Sequence, residues 1–183
     1  MERMKKIDFR TDVLPLKNEL YRLALRITLS HVEAEDIVQE TMLKVWNRRE
    51  QWEQIESIEA FCLTICRNLA LDKAKRADRS PVRRLQDDQE PKATAGANAR
   101  EAVETSTPEE LAMQRDKVAI VKRLIDQLPE KQRSCMQLRD IEGKAYKEIA
   151  VILDISEQQV KVNIFRARQT IKQKYFETEQ YGL

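Results

Sequence analysis

The chain has 183 residues, of which 35% are charged and 5% aromatic, with 3 Gly and 5 Pro; 33 Lys and Arg against 31 Asp and Glu leave a net charge of +2. At roughly 100–200 residues per domain this is one domain or two small ones, and scarce glycine and proline exclude a turn-rich sandwich or barrel in favour of helices. No apolar run approaches the ~20 residues of a membrane span, and the start Met1 to Asp8 lacks the apolar stretch of a secretory signal, so a cytoplasmic protein without membrane insertion is expected.

The charges divide the chain into three parts. Residues 1–76 hold 14 basic and 13 acidic side chains, residues 77–107 hold 5 and 6, and residues 108–183 hold 14 and 12. The middle part has no aromatic and only Val82, Leu85 and Val103 as larger aliphatics, together with Pro81, Pro91 and Gly96. Such a segment buries too little apolar surface to offset ordering, so 77–107 reads as a flexible linker. The alternative is a surface helix around Ala97–Glu104. The predicted fold is therefore all-α: two small helical domains, 1–76 and 108–183, joined by a tether.

In chain order, Leu16, Leu20, Leu23, Ala24 and Ile27 repeat with a helical period over 13–29, and Ser30 offers a break and a cap. From Glu33 to Arg49, Ile37, Thr41 and Val45 form one stripe and Val38, Met42 and Trp46 the adjacent one, predicting a broad core-facing surface. Asp36, Gln39, Glu40, Leu43 and Asn47 fall outside it and leave an acidic, hydrogen-bonding face with no catalytic partner nearby. A third helix is predicted from Ser57, a partial N-cap, to Arg76, with Phe61, Ile65 and Leu69 four apart, a basic end at Lys73, Lys75 and Arg76, and Trp52 in the turn before it.

The cysteines suit reduced thiols better than a disulfide framework. Cys62 and Cys66 share a face of the third helix. Metal ligation would need distant Cys135 and His31, so buried structural thiols are the better reading and no metal or other cofactor is expected. His31, at a helix entry, suits a capping or solvated role rather than catalysis. No phosphate loop or nucleophile elbow is present, so no catalytic residue and no enzyme is predicted.

Thr107, Pro108, Glu109 and Glu110 form a helix start, and Leu111, Val118, Val121, Leu124, Ile125 and Leu128 carry that helix to Gln127. Pro129 begins another, with Cys135, Met136, Leu138 and Ile141 apolar and Gly143 as its stop. The stretch Tyr146 to Arg168 then parses as helix, tight turn, helix. Ile149, Ala150 and Leu153 pack the first helix, Ile155 fills the corner, and Ser156 with Gln159 makes a capping box on the second. This is a helix-turn-helix, whose second helix enters the DNA major groove.

The charges fit that placement. From Gln158 to Phe176 there is no acid, while Lys161, Arg166, Arg168, Lys172 and Lys174 are present. Val160, Ile164, Ala167 and Ile171 fall on the core side; Gln158, Val162, Phe165, Arg166 and Gln169 fall opposite, with Gln159 and Lys161 on the flanks. Gln reads adenine, Arg reads guanine, and Val or Phe touches a thymine methyl. The alternative for Phe165 is packing on a neighbouring helix.

Taken together, Ala34 to Trp46, Ala60-Phe61 through Arg67 to Asp72, and Leu128 to Arg133 followed by the helix-turn-helix resemble the bacterial RNA polymerase sigma factors of the extracytoplasmic-function (ECF) group of the sigma-70 family. The resemblance covers both domains and leaves out mainly the linker. It implies that 1–76 is region 2 and 108–183 region 4. Asp36, Gln39, Glu40 and Leu43 would dock on the clamp helices of the polymerase β′ subunit, and the other domain on the β flap. Trp52, Asn68 and Asp72 would meet the unwound −10 element, with Lys73, Lys75 and Arg76 on its phosphates. Ser156, Gln158, Gln159, Lys161, Val162, Phe165, Arg166 and Gln169 would read the −35 element. The linker would thread towards the RNA exit path, and an anti-sigma factor would be the inhibitory partner.

Two departures stand out: Ala145 replaces the usual Ser or Thr cap, and Val162-Asn163 stands where Ser-Arg is common. No appended module is expected after region 4. The competing reading, a dimeric helix-turn-helix repressor or activator on palindromic sites, leaves the N-terminal half without a role.

Overall fold

The structure is a computed structural model that describes residues 7–78 and 108–181. The linker, its alternative helix at Ala97–Glu104 and the Thr107 cap lie outside the described residues. Among those described there is no strand. Seven helices follow in order: α1 (Lys17–Thr28), α2 (His31–Asn47), α3 (Ile58–Asp78), α4 (Pro108–Asp126), α5 (Glu130–Met136, widening into a π turn over Gln137–Ile141), α6 (Tyr146–Leu153) and α7 (Glu157–Tyr181).

The boundaries follow local chemistry. Leu29 ends α1 in the left-handed region at φ 55°, which costs a non-glycine residue about 1–2 kcal/mol. Ser30 then accepts the Glu33 N–H at 3.4 Å and starts α2. Ser57 accepts the Ala60 N–H at 3.2 Å ahead of α3. Gly143, at φ +70°, turns the chain after the π turn, where a side chain would be strained.

α1, α2 and α3 pack on one another around Leu20, Leu23, Ala24, Ile37, Val45, Leu63 and Cys66, all buried. α7 packs against α4, α5 and α6, with Val160, Ile164 and Ala167 turned inward against Leu138, Ile149, Ile152 and Leu153. Cys62, Cys66 and Cys135 are free and fully buried. Four stripes differ from expectation. Trp46 is 45% exposed, Phe61, Ile65 and Leu69 are only half-buried, and Val118 and Ile141 face outward. On α3 the innermost line is Cys62, Leu63, Cys66 and Ala70, because α1 approaches that side of the helix.

The two helical sets do not stand apart. α3 packs on α6, and α1 on α5 and its π turn, so buried side chains from both halves form one contiguous cluster.

Candidate nucleic-acid interface

The second helix of the helix-turn-helix is built as its residues dictate. Ser156 Oγ accepts the Gln159 N–H at 3.2 Å, and Gln159 Oε1 accepts the Ser156 N–H at 3.0 Å. This reciprocal cap fixes where α7 starts and holds Gln159 at the exposed tip. α6 has only half of such a box. Glu148 Oε2 accepts the Ala145 N–H at 2.7 Å, but Ala145 has no side-chain oxygen to return the bond.

Along α7, Gln158, Lys161, Phe165, Arg166 and Gln169 are exposed and Val162 is half-buried. Phe165 is 64% exposed, which decides against the core alternative. Arg166 and Lys172 make no ion pair among the described residues. Arg168 is different: its guanidinium pairs with Asp140, whose hydrogen bond holds it firmly charged. Lys161 stands over the Tyr146 ring at 5.8 Å, and Arg139 lies over the same ring at 4.7 Å. Asn163 donates back to the Gln159 carbonyl at 2.8 Å, so its amide is occupied by the helix itself. The outcome is an acid-free face with an exposed ring, two amides and free cations, suited to a DNA groove.

On α3, Asn68, Asp72, Lys75 and Arg76 are exposed and fall within about 100° of one another around the axis. Lys73 turns away. Its ammonium lies 3.0 Å from Glu33 and 3.6 Å from Asp36 on α2. Burial alone would lower its pKa, but these two carboxylates outweigh it and raise it. Lys73 therefore braces α2 rather than standing free for a phosphate.

Trp52 needs correction more plainly. It is 7% exposed, donates its indole N–H to the Val45 carbonyl at 3.2 Å, and stacks on Phe9 at 6.3 Å. It is the hinge pin of the turn after α2 and offers no face to a base. The exposed aromatic there is Trp46, edge-on to Phe9 at 5.2 Å, with the Arg49 guanidinium 5.1 Å from its ring. Sequence reasoning assigned Trp46 to the core and passed over Arg48-Arg49; the adjacent arginines were the signal available.

On α2, Asp36, Gln39 and Leu43 are exposed and Glu40 is half-buried, 3.5 Å from Lys44. Leu43 is 63% exposed, an apolar centre within a polar rim. His31 does not cap; its Nδ1 lies 2.6 Å from the Tyr21 hydroxyl. Among the described residues no cluster of His, Cys, Asp or Glu could hold a metal ion, and no helix is long and apolar enough to cross a membrane.

Residues 13–80 match the family "Sigma-70 region 2" and residues 119–171 match "Sigma-70, region 4". The ECF RNA polymerase sigma factor SigE of Mycolicibacterium smegmatis is 31% identical over 155 residues, 85% of this chain and 56% of that protein, so the chain spans little more than half of that relative. The RNA polymerase sigma-H factor of Pseudomonas aeruginosa is 30% identical over 175 residues, 93% of this chain and 89% of that protein. Among solved structures, the sigma factor RpoE in complex with the anti-sigma factor NepR from Bartonella quintana has a similar fold, with a TM-score of 0.65 and 23% identity over 93% of this chain and 97% of that one.

Proposed function

We propose that this chain, which belongs to the ECF group of the sigma-70 family, is the promoter-specificity subunit of a bacterial RNA polymerase. The observation that carries the reading is the outward row of α7, an acid-free face with free Arg166 and exposed Phe165 on a capped recognition helix. On this reading residues 1–76 are region 2, residues 77–107 the tether and residues 108–183 region 4.

Ser156, Gln158, Gln159, Lys161, Val162, Phe165, Arg166 and Gln169 read the −35 duplex. On this reading Arg166 pairs with a guanine, Gln158 and Gln169 pair with adenine edges, and Phe165 meets a thymine methyl. Asn68 and Asp72 meet the opened −10 strand, with Lys75 and Arg76 on its phosphates. Asp36, Gln39, Glu40 and Leu43 dock on the β′ clamp helices. Region 4 docks on the β flap. All the chemistry of synthesis belongs to the polymerase.

The likeness to a sigma factor held by an anti-sigma factor supports an inhibitory protein partner for this chain too, acting in the cytoplasm. Run-off transcription with core polymerase tests the function. Added chain should yield transcripts from a defined set of promoters; no polymerase binding and no promoter-dependent transcript would refute it.

A further inference from the structure

Helical phase sorts the cations of α7 into two groups. Lys161, Arg168 and Lys172 fall within about 40° of one another on one flank of the outward row, and Arg166 lies about 140° from them, on the other side of Phe165. A second element borders the first flank. The π turn at Gln137–Ile141 carries Arg139 and Asp140. Arg139 lies over the Tyr146 ring at 4.7 Å and donates to the Lys144 carbonyl at 2.8 Å, while Lys161 reaches the same ring at 5.8 Å. Two cations from separate elements thus share one ring. Asp140 runs against that charge. Its carboxylate accepts from Arg168 Nε at 3.3 Å and also from Arg168 Nη2. Among the described residues, no other carboxylate pairs with the cations of this flank.

The Arg168 side chain is 54% exposed and that of Asp140 29%, so water reaches the pair and it adds little to the stability of the fold. Its consequence falls on what Arg168 can hold instead. A carboxylate and a phosphate offer a guanidinium the same two-oxygen edge, so Asp140 occupies the donors that a DNA backbone would take. With the outward row of α7 in a major groove, its flanks turn towards the phosphate strands that border the groove. Lys161 and Lys172 are open to those phosphates. Arg168 has to leave Asp140 first, and it then leaves an unpaired negative charge beside the duplex. By either route the flank grips with less charge than its three cations offer.

We propose that Asp140 is an internal stand-in for a phosphate: it withholds Arg168 from the DNA backbone and so sets the strength of the sequence-independent grip, while bases are read by Arg166 and by the row of Gln158, Phe165 and Gln169. The inference rests on the reading of α7 as a DNA-facing helix, and it adds to that reading a residue from outside the helix-turn-helix.

The test titrates the full-length chain, across a salt series, with a duplex from a promoter that the run-off assay identifies and with its scrambled version. Asp140→Asn should bind both about fivefold more tightly at low salt and steepen the fall of log K with log salt by about 0.9, the signature of one more neutralised phosphate. The preference between the duplexes should not change. The gain should need Arg168, so that Asp140→Asn with Arg168→Gln binds no better than Arg168→Gln alone. Thermal midpoints should stay within a few degrees of the parent, because the exposed pair contributes little. An unchanged affinity and slope in Asp140→Asn overturns the proposal. A gain of the same size without Arg168 also overturns it, by assigning the effect to net charge alone. Retention on immobilised heparin, a polyanion with no sequence, should follow the same order, and a different order overturns the proposal too. A parent with no preference for the promoter duplex, or a run-off assay that yields no promoter, would sink the promoter reading; the heparin series would still decide the exchange at Arg168.

Discussion

Arg166 carries the sharpest prediction available at the scale of one side chain. It is exposed on the outer row of α7 and pairs with nothing described, so its free donors remain available to a base edge. Arg166→Ala should weaken −35 binding by about 1–3 kcal/mol on the preferred sequence and much less on scrambled DNA. Filter binding on both duplexes measures this; an equal loss on each would reduce Arg166 to a phosphate contact. Arg168, two residues on, has the same chemistry and a different fate, since Asp140 already holds it. Helical phase put Arg166 on the outer row and left Arg168 off it, but nothing in the local sequence shows that Arg168 is tied to an acid. The acid that decides between them comes from another element, distant along the chain. Trp52 teaches the same point. Its place in the turn before α3 was legible, but its burial depends on Phe9 packing over it from the start of the chain.

At the scale of the element, most of the pattern was legible and the exceptions have physical causes. The caps at Ser30, Ser57 and Ser156 follow from a hydroxyl placed ahead of an apolar repeat, which is local information. Ala145 is the gap in that series. Its backbone is already extended, φ −70° and ψ 153°, as a cap requires. Ala145→Ser should therefore stabilise the protein by about 1 kcal/mol by accepting the Glu148 N–H, read as a rise in the urea midpoint with an unchanged slope. The stripes of α2 and α3 were less legible, because periodicity gives an apolar face without saying which part of it a neighbour covers. Trp46 was left half-exposed for that reason.

The outer face of α2 carries a second prediction. Asp36 and Glu40 make partly exposed ion pairs of 3.6 and 3.5 Å, with Lys73 and Lys44, which contribute little to stability, and Lys73 keeps its shorter pair with Glu33. Asp36→Arg together with Glu40→Arg should thus abolish polymerase association in a pull-down while leaving the thermal midpoint within a few degrees. Unchanged association would move the docking surface elsewhere.

For the molecule as a whole, the buried thiols set an alkaline limit. Burial pushes Cys62, Cys66 and Cys135 from an ordinary value near 9.0 up to about 12. A folded pKa raised above the unfolded one stabilises fully below the unfolded value and is lost as pH rises towards the folded one. Stability should hold to about pH 9 and fall between 9 and 12, as urea midpoints across that range would show. Cys66→Ala should flatten the fall; an equally steep fall without Cys66 would assign it to other groups. The same burial should keep all three thiols unreactive towards Ellman's reagent at pH 8 until the chain unfolds. The amino-acid order alone determined the seven α-helices, the caps at Ser30, Ser57 and Ser156, the helix-turn-helix and the acid-free face of α7, because each depends on residues within a few turns of one another. Only the tertiary structure decided which arginines stay free, that Trp52 is covered, and that the two halves lock together. Those outcomes depend on pairs such as Arg22 with Glu142 and Lys144 with Glu59, far apart in the chain and joined only when the helices pack.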